Sequence, residues 1–308
     1  LSEMGAEIIT QHGKLPLQIK GKVLNNCKIE IDIPSAQIKS GLILAALNTE
    51  GTSYINEKHI TRNHTEIMLE TFGADIETKK VGNSSEIKIN GKKNLTPKNI
   101  DVPADLSSSS FFIVAALINK NSNITLENIN INPTRNGLLI ALEKMGANIK
   151  IFNHKTIAGE IVADINVKSS ELSGCELDKE MAKLMIDEFP ILSVAASQAN
   201  SPSYFKGLDE LRVKESDRLE LINDNLKRCG CYSEVKDNDI FINPRKNKEI
   251  INPEIRTDFD HRIAMSFAVL GSKIGRLHIN ESDSINTSFP SFKDQFNKAG
   301  GNLIWKKS

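Results

Sequence analysis

The chain has 308 residues, with 39 basic and 39 acidic side chains, so its formal net charge at pH 7 is zero. This balance argues against a protein that binds nucleic acid or a membrane surface through its overall charge. Hydrophobic residues make up 39% and charged residues 25%, which is typical of a globular protein with one large domain or two smaller ones. No run of 18 apolar residues predicts a membrane span.

The cysteines and the first residues bear on the compartment. Cys27, Cys175, Cys229 and Cys231 are too few for a disulfide framework, and Cys229-Gly-Cys231 lacks the second pair that a zinc site needs. We therefore expect reduced thiols and a cytoplasmic protein. The sequence opens on Leu1 without the layout of a signal peptide, and we expect it to be the later part of a longer protein.

A short phrase recurs along the chain. It reads Met4-Gly5-Ala6-Glu7-Ile8, then Phe72–Ile76 and Met145–Ile149, with weaker copies around Gly230 and Gly300. A helical pattern precedes each glycine after the first, and an alternating or β-branched run follows it. Because glycine adopts the left-handed conformation at little cost, each copy predicts a helix, a glycine stop and a strand.

A second type of helix precedes each copy and is apolar on nearly all sides, which predicts burial. The four runs are Gly41–Leu47, Phe111–Leu117, Pro190–Ala196 and Ala264–Leu270. Strand-like runs such as 52–55 and 123–126 lie between the two helix types. A unit of roughly 70 residues thus alternates strands and helices, which indicates an α/β protein.

The densest polar cluster lies between Leu211 and Leu219. An exposed helix face is the ordinary explanation of such a run. On a helix, Lys214 and Arg218 share a face and can hold one anion together, with Glu215 beside it. A carboxylate next to a bound anion favours its protonated form, so Glu215 would be suited to act as a general acid.

A second cluster, Thr257–Met265, places charges at the start of an apolar helical pattern. Arg262 near a helix N-terminus opposes the helix dipole. A bound phosphate or carboxylate would compensate both positive charges. Pairing with Asp258 or Asp260 would satisfy the arginine without a ligand, and the residues alone leave both interpretations open.

Three further positions have a structural and a functional interpretation. Ser35 is a good N-cap, or else it binds phosphate together with Ala36, Gln37 and backbone N–H groups. For His64 we favour a structural hydrogen bond over a catalytic role. Asp187, ahead of an apolar run, either caps a helix or acts as a base held apart from solvent. Motifs of P-loop, dinucleotide, zinc-protease, serine-hydrolase and EF-hand sites do not occur.

Together these clusters resemble the 5-enolpyruvylshikimate-3-phosphate synthase (3-phosphoshikimate 1-carboxyvinyltransferase) family. Ser35-Ala36-Gln37, Arg212–Arg218 and Asp260–Met265 carry the resemblance, in an order and spacing that extend from Met4 to Pro290. Three segments also resemble markers of the family's class II branch, which is associated with glyphosate tolerance: Ser35–Lys39, Arg62–Glu66 and Asn132–Arg135.

The resemblance implies an α/β fold of two domains, the inside-out α/β barrel of enolpyruvyl transferases built from βαβαββ repeats. It assigns 1–103 to part of the first-half domain, on the shikimate 3-phosphate side and without its N-terminal portion, and 104–308 to the second domain. The active site is expected in a cleft between the domains, which closes on substrate. The complete enzyme is expected to be a monomer.

The family reaction transfers the enolpyruvyl group of phosphoenolpyruvate to the 5-hydroxyl of shikimate 3-phosphate, with release of phosphate. The resemblance implies no metal or organic cofactor, and partners limited to these small molecules, with neither nucleic acid nor membrane. It makes Asp187 the carboxylate at the 5-hydroxyl, Glu215 the acid near the methylene carbon, and Lys214 a residue that bridges both substrates.

The resemblance also implies the substrate contacts. Those to shikimate 3-phosphate are Ser35, Ala36, Gln37, Arg62, Asp187 and Lys214; those to phosphoenolpyruvate are Lys214, Arg218 and Arg262.

Two departures from the family pattern bear on activity. The family's glycine-aspartate-lysine-serine segment and its upstream contacts to phosphoenolpyruvate have no match, and Thr287 stands where class I members have a lysine. The chain alone is therefore expected to be inactive or to need the missing portion. The alternatives are a UDP-N-acetylglucosamine enolpyruvyl transferase, against which the segment Lys214–Arg218 argues, and an inactive fragment that keeps the fold.

Overall fold

The computed structural model describes residues 1–244 and 252–306. The chain divides into two compact units: unit 1 is Leu1–Val102 with Thr156–Glu160, and unit 2 is Pro103–Lys155 with Ile161–Ser308. Within the described ranges, none of the helices has the length and apolar character needed to cross a membrane.

Unit 1 contains a hairpin, a four-stranded sheet and two helices. Its elements are β1 (Glu7–Gln11), β2 (Lys14–Lys20), β3 (Lys28–Ile31), α1 (Ala36–Ala46), β4 (Thr52–Glu57), α2 (His64–Thr71), β5 (Asp75–Val81) and β6 (Ser84–Asn90). The sheet has the order β3-β4-β6-β5, in which β3 and β4 are parallel and the other pairs antiparallel.

Unit 2 is larger and richer in helices. Its elements begin with α3 (Leu106–Ile118), β7 (Asn123–Asn130), α4 (Gly137–Lys144), β8 (Asn148–Ile157), β9 (Glu160–Lys168), β10 (Glu176–Leu177), α5 (Lys179–Met185), α6 (Phe189–Ser197) and β11 (Ser203–Phe205). They continue with α7 (Arg218–Arg228), β12 (Tyr232–Lys236), β13 (Asp239–Asn243), β14 (Glu254–Ile255), α8 (His261–Ile274), β15 (His278–Ile279), α9 (Ile285–Ser288) and α10 (Phe292–Lys298). The β8–β9 turn is the part that belongs to unit 1.

The predicted repeat is confirmed by the sheets. In unit 2, β10-β11-β13-β12 repeats the order and the strand directions of the sheet in unit 1, with one parallel pair followed by two antiparallel pairs. Each of these two sheets therefore belongs to a βαβαββ unit. The repeat glycines do stop their helices in the left-handed region, as at Gly73 (φ 81°) and Gly146 (φ 82°).

Three of the four apolar helices form the core of unit 2. Helices α3, α6 and α8 pack on one another, and every residue of α6 is buried. Each fully buried Leu, Ile or Phe contributes about 1.5–3 kcal/mol relative to exposure. The fourth, α1, packs on β4 and β6 with one face only. Its Leu44 is 50% exposed, so the prediction of complete burial is wrong for α1.

Candidate active site

Four helices of unit 2 begin at one place. A hydrogen bond from Arg262 to Ser107 (2.7 Å) joins the starts of α8 and α3, and one from Ser107 to Glu188 joins α3 to α6. The start of α7 joins that of α8 because Arg218 Nε donates to Asp260 (2.7 Å). Helix N-termini carry partial positive charge, so their convergence favours anionic groups, and the aspartates that cap three of these helices are among them.

Capping side chains explain why three of these helices begin here, whereas α6 has Pro190 in its first turn and no side-chain cap. Asp105 accepts from the N–H of Ser108 (2.7 Å) and starts α3. Asp217 does the same for α7, and Asp260 for α8 through the N–H groups of Arg262 and Ile263. Aspartate is among the preferred N-cap residues, so the local sequence itself places the starts of α3, α7 and α8.

Arg218 lies at the centre of the site with no exposed side-chain surface. Its Nη1 donates to Asp187 (3.2 Å), its Nη2 to Glu215 (2.5 Å), and its Nε to Asp260. A guanidinium offers five donors in a rigid fork, which suits it to hold several carboxylates at once. Arg218 thus fixes the positions of three acidic side chains.

The contacts of Lys214 correct one step of the sequence argument. Lys214 is the extended residue after a 3-10 helix (Asp209–Val213), and α7 begins only at Arg218, so the two cations do not share a helix face. They meet instead at Asp187, whose Oδ1 lies 3.7 Å from Lys214 Nζ and 3.2 Å from Arg218 Nη1. Glu215, in the same segment, has a half-exposed side chain.

The side chain of Arg262 points back across the helix start. Its Nη1 donates to Ser107 Oγ (2.7 Å) and to the backbone carbonyl of Asp187 (3.2 Å). Asp258 pairs with Arg256 instead, with two hydrogen bonds of 2.8 Å. Asp260 caps α8 and accepts a hydrogen bond from Arg218, so within residues 1–244 and 252–306 neither Asp258 nor Asp260 forms the ligand-free ion pair considered for Arg262.

Ser107, Arg135 and Glu188 belong to the same cluster and were not among the predicted site residues. Arg135 Nη2 lies 3.4 Å from Glu188 Oε1, and its Nη1 lies 4.0 Å from Asp187 Oδ2. Burial raises the pKa of the Glu188 carboxyl, and the neighbouring Arg135 opposes that shift. The available signal was the Asn132–Arg135 marker, whereas nothing in the sequence distinguishes Glu188 from an ordinary helix-capping acid.

The predicted phosphate-binding residues lie in unit 1, at two helix starts. Ser35 is the N-cap of α1, since its Oγ accepts from the N–H of Ile38 (3.3 Å), and Ala36 and Gln37 are the first residues of the helix. Arg62 is exposed, just before α2. His64, the first residue of α2, has the structural hydrogen bond expected of it, with Nδ1 2.6 Å from Glu160 Oε1.

A buried ion cluster supports these two helix starts. Lys39 of α1 has no exposed surface and lies 3.1 Å from Glu57 and 2.8 Å from Glu66 of α2. Lys39 and Glu57 also hydrogen bond to the backbone of Thr61, the neighbour of Arg62. The cluster therefore fixes Arg62 relative to the start of α1.

Replacing Lys39 by methionine should lower the free energy of unfolding by about 3–5 kcal/mol, because two buried carboxylates lose their cation. The matched control is Lys58→Met, since the Lys58–Asp32 pair is exposed and exposed ion pairs contribute little to stability. Urea denaturation followed by circular dichroism measures both variants. Equal losses in the two variants would contradict the stabilising role of the buried cluster.

His261, the first residue of α8, predicts a pH dependence of the free energy of unfolding. Burial and then the adjacent Arg262 lower its pKa from 6.5. As the pH falls below about 6.5, the unfolded chain binds a proton that the folded chain does not, so stability declines toward the lowered pKa. We therefore expect the urea midpoint of His261→Asn to depend less on pH, between about pH 5 and 7, than that of the parent protein. The exposed His154→Asn is the control, and an unchanged profile for His261→Asn would refute the expectation.

Comparison with known proteins identifies the family. The profile of the family described as EPSP synthase (3-phosphoshikimate 1-carboxyvinyltransferase) matches residues 1–296. The chain belongs to the EPSP synthase family. Among similar proteins, the 3-phosphoshikimate 1-carboxyvinyltransferase of Bartonella quintana is 44% identical over 306 residues, which are 97% of this chain and 69% of that protein. The one from Vesicomyosocius okutanii is 40% identical over 307 residues, 98% of this chain and 69% of that protein.

Solved structures agree with this membership in the EPSP synthase family. EPSP synthase from Acinetobacter baumannii superposes with a TM-score of 0.89 at 38% identity, over 99% of this chain and 70% of that one. The enolpyruvyl transferase NikO from Streptomyces tendae gives a TM-score of 0.71 at 17% identity, over 98% of this chain and 70% of that one. The NikO likeness shows the fold alone. The predicted α/β enolpyruvyl transferase fold is thus confirmed.

Proposed function

We propose that this chain carries the EPSP synthase activity, the transfer of the enolpyruvyl group from phosphoenolpyruvate to the 5-hydroxyl of shikimate 3-phosphate. The observation that supports this most directly is the cluster in unit 2, where Asp187, Lys214, Arg218 and Arg262 meet at four helix starts. Two substrates with several negative charges repel each other, so a site that joins them needs fixed positive charge.

The contacts support distinct roles for the two carboxylates. Asp187 is largely buried and its carboxylate is fixed in place by Arg218 and Lys214, which positions it to take the proton of the 5-hydroxyl as that oxygen attacks phosphoenolpyruvate. Glu215 is half-exposed in the segment that contains Lys214, which suits it to protonate the methylene carbon. Elimination then breaks the C–O bond to phosphate as a proton of the methyl group returns to Glu215, and the proton held by Asp187 leaves with the phosphate.

The proposal requires a rearrangement at Arg218. Since its fork is occupied by three carboxylates, phosphoenolpyruvate can contact it only where one of them turns away, and Glu215 is the most exposed of the three. Lys214 and Arg262 complete the proposed contacts to phosphoenolpyruvate. On this proposal Glu215 leaves the arginine as it approaches the methylene carbon.

We assign the shikimate 3-phosphate contacts of unit 1 to Ser35, Ala36, Gln37 and Arg62, which lie at the starts of α1 and α2. N–H groups at a helix start together with an exposed arginine are suited to a phosphate. The assignment of 1–103 and 104–308 to two domains, a monomeric state and a cytoplasmic location are further parts of the proposal.

Phosphate release tests the proposed function. The 308-residue chain and the full product of the gene that encodes it are each incubated with phosphoenolpyruvate and shikimate 3-phosphate. Release that needs both substrates, in either protein, supports the proposal. No release in either protein refutes it.

The same assay distinguishes the rival enzyme. UDP-N-acetylglucosamine replaces shikimate 3-phosphate, and phosphate release is measured again. Turnover with the UDP-sugar and none with shikimate 3-phosphate would establish the rival activity. If neither acceptor is used although the protein is folded, a non-catalytic binding role takes its place.

A further inference from the structure

We infer that Ser107, Glu188 and Arg135 form a positioning chain that orients Arg262 for phosphoenolpyruvate. This inference rests on the proposed function, because it assigns a purpose to Arg262. The chain begins at Arg262 Nη1, passes through the hydroxyl of Ser107 to the carboxylate of Glu188, and ends at Arg135. Its members come from three separate parts of unit 2 and meet at the starts of α3, α6 and α8.

The direction of each hydrogen bond follows from the chemistry of the groups. A guanidinium has no acceptor, so Arg262 must donate to the oxygen of Ser107. The one proton of the Ser107 hydroxyl then remains for Glu188, whose Oε1 also faces Arg135 at 3.4 Å. Because the serine can satisfy both partners only in this arrangement, the side chain of Arg262 is held in one orientation.

The burial of these groups argues that the arrangement is rigid. Ser107 is 1% exposed and Glu188 is 2% exposed. A buried carboxylate is costly without cations and hydrogen bonds, and here Arg135 and Ser107 provide them. Removing any member would leave another buried polar group without its partner.

The chain also supports the other side of the site. Glu188 directly follows Asp187, whose backbone carbonyl accepts from Arg262 (3.2 Å) and whose carboxylate lies 4.0 Å from Arg135. The same contacts therefore hold the proposed base and the proposed phosphoenolpyruvate ligand.

The test is Ser107→Ala, which removes the acceptor of Arg262 and the donor of Glu188. We expect the KM for phosphoenolpyruvate to rise roughly tenfold or more, in line with a lost hydrogen bond to a charged group. The KM for shikimate 3-phosphate should change less than about twofold, and Ser107→Thr, which keeps the hydroxyl, should restore most of the affinity. Glu188→Gln, which keeps the shape but removes the charge, should raise the same KM.

Ser197→Ala is the matched control. Ser197 is also a buried serine, in α6, and its hydroxyl donates to the carbonyl of Val194 (2.7 Å), away from the helix start. It should lose comparable stability without a change in either KM. Thermal unfolding is measured for all variants, and Glu188→Gln carries the test if Ser107→Ala does not fold.

Two outcomes would overturn the inference: an unchanged KM for phosphoenolpyruvate in a folded Ser107→Ala or Glu188→Gln protein, or a parallel rise in both KM values. If neither the 308-residue chain nor the full product of the gene shows turnover with these residues unchanged, the proposed function has failed separately. The positioning role is then tested by calorimetry of inorganic phosphate binding. Weaker binding by Ser107→Ala than by Ser197→Ala supports that role, and equal binding rejects it.

Discussion

Replacing Arg218 with methionine is expected to lower the free energy of unfolding by about 3–5 kcal/mol and to abolish turnover. The methionine roughly preserves the apolar volume, but Asp187, Asp260 and Glu215 lose the cation that joins them. Asp187 and Asp260 have little contact with solvent, so water replaces the arginine poorly. Urea denaturation gives the loss of stability, and phosphate release gives the loss of turnover.

Arg256→Met serves as the control for Arg218. Arg256 also contacts two carboxylates, Asp224 and Asp258, but its side chain is about half-exposed. Exposed ion pairs contribute about 0–1 kcal/mol, so this variant should stay close to the parent protein. If the two variants lose similar stability, burial of Arg218 is not what makes its contacts important.

The second large effect is expected for Asp187→Asn. The amide has nearly the same shape but does not accept the proton of the 5-hydroxyl, so kcat should fall by about 100- to 10,000-fold. Because Asp187 also pairs with Arg218 and Lys214, circular dichroism and thermal unfolding are measured alongside kcat. Unchanged turnover in a folded Asp187→Asn protein would remove Asp187 from the proposed chemistry.

Asp237→Asn provides the matched change outside the site. Asp237 lies in the exposed turn between β12 and β13 with φ 55°, a conformation that asparagine adopts readily. Its kcat and stability should equal those of the parent. A fall in kcat for both variants would show that the loss at Asp187 is not specific to the site.

Much of the fold could be predicted from local patterns. The glycine after each amphipathic helix and the apolar runs of α3, α6 and α8 depend on short-range sequence, and both were read correctly. The exposure of Leu44 in α1 was not predicted, because burial of a helix depends on how many other helices and strands cover it. A run of apolar residues does not contain that information.

The site was predictable in part, and the errors have a physical cause. Asp187, Lys214, Arg218 and Arg262 were predicted from the sequence and do lie together, while their roles remain a proposal. Lys214 does not lie on the α-helix that was assumed for it. Aspartate is favoured at an N-cap and disfavoured inside a helix, so Asp217 starts α7 at Arg218, after Lys214. Ser107 and Glu188 acquire their contacts only when α3 and α6 meet, and sequences far apart in the chain do not reveal such pairs.

One consequence follows from where the four helices begin. The amide hydrogens at the starts of α3, α7 and α8 belong to the main chain, so every amino acid except proline supplies them, and only α6 has a proline, Pro190, in its first turn. On the proposed function, part of the attraction for phosphorylated substrates is thus independent of which side chains surround the site. Sequence drift in this region can retune selectivity and rate while a baseline preference for anionic compounds endures.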